Sequence, residues 1–413
     1  MRLSGAAITV LTQIIIARNL GAEFLAEFLL IIAIANVSAV LLPLGFQSIA
    51  SYFAADYASK NEFNRLISFR NHAYLFIVTL SIFLTLVFWS LQSIQVSMFQ
   101  NFTSTALLLA LTLAPAIALT FVNSGILVGL RQPFLSLGPD TLARPIIFLI
   151  SVSFPIYIFS EPASLNMLWI AVIFIWCLAL CQAYLLKKLL NEKLNYPSTN
   201  QSELKRWFKY AGPWIVIGLI SDFFIDLDLI ALSGILEKNE LAIFGVSLKF
   251  LMLIGFAMST IYTLILPDIF ESLNKNLSTE MLAKIRQASW LSCLIGCLAL
   301  VGLSLLGNWA LSLFGPEFKA GLIPLMIMTT GLILRMMMGP ASLVLSLYES
   351  PFASLPILLL GLLLMIVSNY LLIPSFGLTG AALAIFTTLA FWSIGLWFIT
   401  IRKTGLNISV FHK

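Results

Sequence analysis

The chain has 413 residues, 60% of them hydrophobic and 10% charged, with a formal net charge of +5. Soluble domains are about a quarter charged, so a water-soluble core is excluded. Apolar runs of about 20 residues, the length that crosses the hydrocarbon layer, consume nearly the whole chain and leave no room for a sizeable soluble domain.

In chain order, the predicted spans are residues 3–17, 24–53, 73–96, 103–130, 137–159, 165–186, 208–235, 241–270, 283–314, 321–348, 352–373 and 378–401. A transmembrane barrel needs strands of about ten residues with alternating polarity. Residues 358–366 instead hold Leu, Met or Ile at every position except Gly361. The class is therefore all-α integral membrane, with about 12 transmembrane helices. The first span is short and is followed by Arg18 without a small-residue cleavage site, so it reads as a helix and not a signal peptide. Its shortness predicts that the natural N-terminus lies upstream of Met1.

Basic residues orient the chain, because Lys and Arg accumulate in short cytoplasmic loops. One alternating set holds Arg2; Lys60, Arg65 and Arg70; Arg131; Lys187, Lys188, Lys193, Lys205, Arg206 and Lys209; Lys275, Lys284 and Arg286; and Arg402, Lys403 and Lys413. The opposite set holds only Arg18, Lys238 and Lys319. Both termini then face the cytoplasm. Topology explains the net positive charge, and no nucleic-acid partner is needed.

Cys177 and Cys181, like Cys293 and Cys297, stand one helical turn apart inside predicted spans. A four-thiolate metal site is conceivable from such pairs, but packing of small apolar thiols between helices is the stronger expectation. His72 and His412 are too few and too far apart for a metal or a triad. No metal or other cofactor is expected.

The longest polar stretch, residues 187–209, divides six predicted spans from six. Across it, Leu25-Ala26-Glu27-Phe28 matches Leu241-Ala242-Ile243-Phe244, and Pro133-Phe134-Leu135-Ser136-Leu137 matches Pro351-Phe352-Ala353-Ser354-Leu355. The two offsets differ by two residues, and each match falls at the corresponding span of its half. A duplicated unit with an even number of spans gives parallel repeats. The predicted organisation is a six-helix bundle over residues 1–190, a cytoplasmic linker over 191–206 and a second bundle over 207–413, arranged around a central cleft.

Several local patterns carry a resemblance. They are Ala17-Arg18-Asn19-Leu20-Gly21 between spans one and two; Asp228, Leu232-Ser233 and Ala242-Ile243-Phe244 across spans seven and eight; and Phe314-Gly315-Pro316-Glu317-Phe318 before span ten. The most pronounced is Asn369-Tyr370-Leu371-Leu372-Ile373-Pro374 followed by Gly377-Leu378-Thr379-Gly380-Ala381-Ala382. In order and spacing these resemble the polysaccharide transporter branch of the superfamily that also holds the multidrug and toxin extrusion proteins and the peptidoglycan-precursor flippases. The short first helix departs from that pattern, as does the lack of an acidic motif matching the cation site of drug exporters. The second departure weighs against a sodium-coupled drug mechanism. Gly377 and Gly380 suit a tight reversal followed by close backbone packing of Gly380, Ala381 and Ala382 on a neighbouring helix.

Ionisable groups at membrane depth are costly and are functional candidates by default. They are Arg144, Asp222, Asp226, Asp228, Lys249 and Arg335, with Asp140 nearer the surface. Asp226 and Asp228 fall at a depth similar to that of Lys249 in the next span, so Lys249 is expected to neutralise one of them. Asp222 and Asp226, one turn apart, should share a face, with Asp228 pointing elsewhere. Two such carboxylates cannot both ionise cheaply. A structural salt bridge with Lys249 and a cavity-lining role both stand as readings, and Asp222, Asp226 and Asp228 are the ion-coupling or ion-pair candidates.

Arg335 lies about fifteen residues into its span and cannot readily reach either surface. The nearby Gly339-Pro340 should interrupt the helix, which is tolerated only against protein or a wet cavity. A guanidinium can hold a phosphate as a fork, so Arg335 is expected to face substrate in the cleft, the alternative being an ion pair with a buried aspartate. Lys249 and Arg144 are further cleft candidates, although Asp140 one turn before Arg144 favours a structural pair there.

The resemblance implies a flippase that moves undecaprenyl-diphosphate-linked oligosaccharide repeat units from the cytoplasmic to the periplasmic leaflet by alternating access. The expected partners are the lipid-linked oligosaccharide, membrane lipid, a coupling proton or sodium ion, and the polysaccharide polymerase and chain-length machinery. The rival within the superfamily is a cation-coupled multidrug exporter. A membrane-embedded polymerase or glycosyltransferase would normally place catalytic acids in a large extramembrane loop, whereas the loops here reach only about 25 residues, against about 50 or more for a domain. A channel lacks its ring of selectivity residues, and no Gly-x-x-x-x-Gly-Lys run supports ATP hydrolysis.

Overall fold

In hydrocarbon every backbone group must be bonded within its own segment, so the apolar runs become helices and the breaks between them carry the structural information. The computed structural model describes residues 2–93, 104–158, 165–192, 203–274, 278–348 and 351–411, and no strand occurs among them. The chain is an all-α, multi-pass membrane protein. Nine helical stretches among the described residues are long and apolar enough to cross a membrane. The last of these, Phe352–Thr404, contains two predicted spans. Arg2–Leu20 and the pair Leu204–Asp222 and Phe224–Leu232 supply two more, so all twelve predicted runs are helical.

Contacts divide the chain into two compact units, Met1–Gly234 and Ile235–Lys413. The first unit holds α1 (Arg2–Leu20), α2 (Ala22–Leu41), α3 (Phe46–Ser59), α4 (Phe63–Ser93), α5 (Ser104–Gly129), α6 (Pro133–Gly138), α7 (Arg144–Ile158), α8 (Leu168–Asn191), α9 (Leu204–Asp222) and α10 (Phe224–Leu232). The middle of the expected linker, residues 193–202, lies outside the described residues. The seventh predicted span, formed by α9 and α10, packs with the first unit, α9 on α3 and α10 on α2.

Within this unit α5 is central and α4 peripheral: 67% of the span window is buried in the former and 17% in the latter. Gly125 and Gly129, one turn apart on α5, face Ala50 and Ala54 of α3, where any side chain would collide. This is the small-residue packing that lets membrane helices approach closely. Gly21, with φ +87°, turns the chain between α1 and α2. The single span expected over residues 24–53 is instead two helices. They are separated by a turn with Leu44 at φ +50° and Gly45 at φ +81°. A Cβ on Gly45 would lie 2.6 Å from the Ala211 carbonyl oxygen, so the break admits α9.

The start of α9 is docked on α3 and α4 by aromatic side chains. Trp207, fully buried, meets Phe69 edge-on at 5.4 Å and Phe46 at 6.0 Å between centroids. Its Nε1 donates to Tyr57 Oη at 2.9 Å, and Tyr57 donates to Glu203 Oε2 at 2.9 Å. Arg206 and Arg65 also reach Glu203, at 2.9 and 3.1 Å, and Arg206 reaches Asp56 at 3.5 Å. Burial pushes the Tyr57 hydroxyl up to about 12. Burial also raises Glu203, but hydrogen bonds from Tyr57 and Arg206 outweigh it and hold the carboxyl below its ordinary value.

The second unit holds α11 (Lys238–Asn274), α12 (Ser278–Ser312), α13 (Leu322–Met337), α14 (Ala341–Leu347) and α15 (Leu355–Thr404). The repeated Leu-Ala-x-Phe motif occupies the first two turns of α2 and of α11, with Leu25, Ala26 and Phe28 buried in one and Leu241, Ala242 and Phe244 in the other. α13 packs on α11, α12 and α15. The long α15 folds on itself at Gly377, whose φ of +54° supplies the expected reversal. Gly380 then packs closely on the Leu372 carbonyl, on the chain's own preceding segment. Trp392 Nε1 donates to Leu358 O at 3.3 Å above Gly361, where a larger residue would strike the indole.

Gly339-Pro340 breaks the chain between α13 and α14 as expected. The Met337 carbonyl freed by this break accepts from Val410 N at 3.0 Å, so the C-terminal segment seals it. Ile408, Ser409 and Val410 are buried there, and Trp397 Nε1 donates to Asn407 Oδ1 at 3.0 Å at the base of the same segment. Of the cysteines, Cys293 is buried but Cys177, Cys181 and Cys297 are exposed, so those three do not pack between helices as expected. In a membrane protein the outer helix surface meets lipid, where a thiol is as acceptable as an alanine.

Candidate functional site

In the first unit, a chain of polar side chains runs between helices at membrane depth. It starts at Asp140, in a π-helical turn (Pro139–Ala143) that leads into α7. Arg144 Nη1 donates to Asp140 Oδ1 at 3.0 Å, while Nη2 donates to Asn36 Oδ1 on α2. Asn36 Nδ2 then donates to Asp226 Oδ2 on α10 at 3.0 Å. One amide thus joins a cation to a carboxylate, using its acceptor for the first and its donor for the second. π-turns of this kind recur at functional sites.

The three aspartates are not arranged as expected. Phe223, at φ −118° and ψ 18°, interrupts the helix between Asp222 and Asp226, so the two do not share one continuous helical face. Asp222 is exposed at the end of α9, Asp226 is half-buried in the network, and Asp228 is fully buried. Neither Gly nor Pro marks the break. Asn36 was missed from the sequence. Its only signal is an amide in the middle of an apolar run, where it must find a partner on another helix.

In the second unit, Arg335 sits near the end of α13 and Lys249 is half-buried on α11. The Arg335 side chain is exposed. Among the described residues of its unit, no carboxylate lies within the 4.0 Å of an ion pair. The nearest electrostatic partner is Tyr262, whose hydroxyl lies 2.9 Å from Ser289 Oγ. Lys249 stands in the second unit and the three aspartates in the first. Among the described residues, no group of three or more His, Cys, Asp or Glu side chains could hold a metal ion.

Helical bundles with broken spans and charged side chains of this kind have counterparts among solved structures. The fold matches a multidrug-resistance MATE family transporter of the MOP superfamily, in an inward-facing conformation, with TM-score 0.74, 16% identity and 97% of this chain and 95% of that one covered. It matches the lipid II flippase MurJ with TM-score 0.74, 17% identity and coverage of 96% and 85%. The chain therefore has the fold of the MOP-superfamily transporters. In sequence it is 26% identical over 255 residues to the capsular polysaccharide biosynthesis protein CapF of Staphylococcus aureus, spanning 61% of this chain and 62% of that protein. No family model matches the chain. These likenesses bear out the resemblance to polysaccharide transporters drawn from the motifs.

Proposed function

We propose that this chain is a flippase that moves undecaprenyl-diphosphate-linked oligosaccharide repeat units from the cytoplasmic to the periplasmic leaflet of the bacterial inner membrane. The observation that carries the reading is sequence similarity to a capsular polysaccharide biosynthesis protein on a fold shared with a lipid II flippase. The chemistry fits. A lipid-linked oligosaccharide has a head that cannot cross hydrocarbon and a tail that should stay in it, so the protein must lower the barrier for the head alone.

In this reading Arg335, with no acidic partner in its unit, binds the diphosphate, and Lys249 adds a second positive charge. Asp226, held by Asn36 and Arg144, and its neighbours Asp222 and Asp228 respond to a coupling proton or sodium ion. The protein moves its substrate by alternating access, without covalent chemistry, and passes it to a polymerase and chain-length machinery.

Deleting the gene tests the reading directly. Loss of a surface glycan, with its lipid-linked precursor accumulating inside the cell, is the expected result. Unchanged glycan together with new sensitivity to cationic drugs would replace the flippase by a multidrug exporter.

A further inference from the structure

Arg70 lies two turns into α4. Among the described residues it is the one basic side chain that is buried, with 9% of its surface exposed. Its neighbours on the same side of the membrane are neutralised: Lys60 reaches Asp56 at 2.5 Å, Arg65 reaches Glu62 and Glu203, and Arg206 reaches Glu203 and Asp56. Arg70 has no carboxylate within 4.0 Å among the described residues. Its guanidinium instead donates twice to one neutral acceptor, Asn71 Oδ1, at 3.3 Å from Nε and 2.9 Å from Nη2. The Tyr74 ring lies 5.8 Å from its centre. Neither neighbour carries negative charge.

A second observation lies directly behind. The Tyr74 hydroxyl donates to Asn123 Oδ1 on α5. Asn123 is fully buried, and its Nδ2 donor has no partner among the described residues. Tyr74 thus stands between a guanidinium with donors to spare and a buried unused amide donor, with no anion among the described residues to receive either. A buried cation left uncompensated is strongly unfavourable, and an unpaired buried donor adds to the cost. A tetrahedral oxyanion compensates the cation, because a guanidinium binds phosphate as a fork. Asn71 is exposed, so its amide can swing aside and open the guanidinium to a ligand.

We propose that Arg70, gated by Asn71 and backed by Tyr74 and Asn123, binds the phosphate group of a membrane lipid. The basic-residue pattern puts this end of α4 at the cytoplasmic leaflet. The group can come from bulk anionic phospholipid or from a polyprenyl-diphosphate carrier, which present the same chemistry. The inference goes beyond the flippase reading and does not require it. If that reading holds, the site is a docking point for the diphosphate distinct from Arg335.

The test uses the full chain in maltoside detergent micelles, which carry no phosphate, with thermal stability and binding measured for three added probes: inorganic pyrophosphate, phosphatidylglycerol and undecaprenyl diphosphate. At least one probe should stabilise the wild-type protein. Affinity should fall tenfold or more in Arg70→Gln, and also in Arg70→Lys, which keeps the charge but loses the fork. Arg70→Met, which removes the uncompensated cation, should melt at a higher temperature than wild type in micelles without added anion and should not respond to the probes. Stabilisation by phosphatidylglycerol identifies the ligand as bulk lipid, and stabilisation by undecaprenyl diphosphate alone identifies it as the carrier. Failure of every probe to bind, or equal affinity in wild type and both charge variants, overturns the proposal. Neither result bears on the gene-deletion phenotype, so the site and the flippase reading fail separately.

Discussion

Arg335 is the residue at which the competing roles of a deep cation diverge most. If it forks a phosphate, Arg335→Lys keeps the charge but loses the planar pair of donors. Transport should then fall roughly 10- to 100-fold, the equivalent of about 1.5–3 kcal/mol for a charge-assisted hydrogen bond. The melting temperature in detergent should stay near that of wild type, because no carboxylate of its unit depends on it. A structural partner predicts the reverse pattern: Arg335→Ala would destabilise the protein and Arg335→Lys would be tolerated. Normal transport by a stable Arg335→Ala protein would remove the residue from the site. At the polar surface the informative residue is Glu203, whose carboxyl is held below its ordinary value in the folded chain. A depressed carboxyl contributes stability that is fully present above its unfolded pKa, about 4.3, and is lost as pH falls through the folded value. Melting curves between pH 7 and about pH 3 should therefore show a steeper acid loss in wild type than in Glu203→Gln. The side chain is 22% exposed, so the difference at neutral pH should stay within about 1 kcal/mol.

Among the elements, α13 and α14 show how a membrane helix can be broken without leaving a backbone group unsatisfied. Pro340 has no N–H to continue the ladder, and Gly339 takes φ +82°, a conformation that side chains disfavour. The freed Met337 carbonyl is paired by the Val410 amide from the far end of the chain. Val410→Pro removes that donor while keeping an apolar side chain. It should cost about 1–3 kcal/mol, the penalty for a buried acceptor left without a partner, whereas Val410→Ala should lose less. Thermal unfolding of the two purified variants checks the difference, and equal melting temperatures would show that the hydrogen bond contributes nothing. The second broken element, at Phe223, has no comparable mark in the sequence. It ends α9 so that Asp226 begins a new helix facing Asn36.

For the whole molecule, the twelve helical runs and the alternation of basic loops make one topology. Reporter tags at either end, or in residues 187–209, should signal from the cytoplasm. A tag at residues 237–240 should signal from the periplasm, and a cytoplasmic signal there would overturn the orientation. The compact units meet in sequence at Gly234 and Ile235, after the seventh span and not before it. Its start is held to α3 and α4 through Trp207, Tyr57 and Glu203, and its end to α2 through Asp226 and Asn36. In the first unit, the span that the repeat assigns to the second half is thus fastened to the first.

Read by itself, the sequence determined whatever depends on local composition and spacing. Membrane class and span number follow from apolar run length, because the thickness of hydrocarbon sets one helix length for all spans. The reversal at Gly377 and the break at Gly339-Pro340 follow from residues whose backbone preferences are intrinsic. The pairing of Arg144 with Asp140 follows from a four-residue interval. Tertiary structure alone decided the contacts between residues far apart in the chain. Asn36 bridges residues 108 and 190 positions away, Val410 finds Met337, and Gly45 breaks a span to admit Ala211. Arg70 and Arg65 look alike as members of a basic loop. One is buried without an acid and the other lies beside two. A charge becomes a site or a surface according to which helices close around it, and apolar periodicity carries no information about that choice.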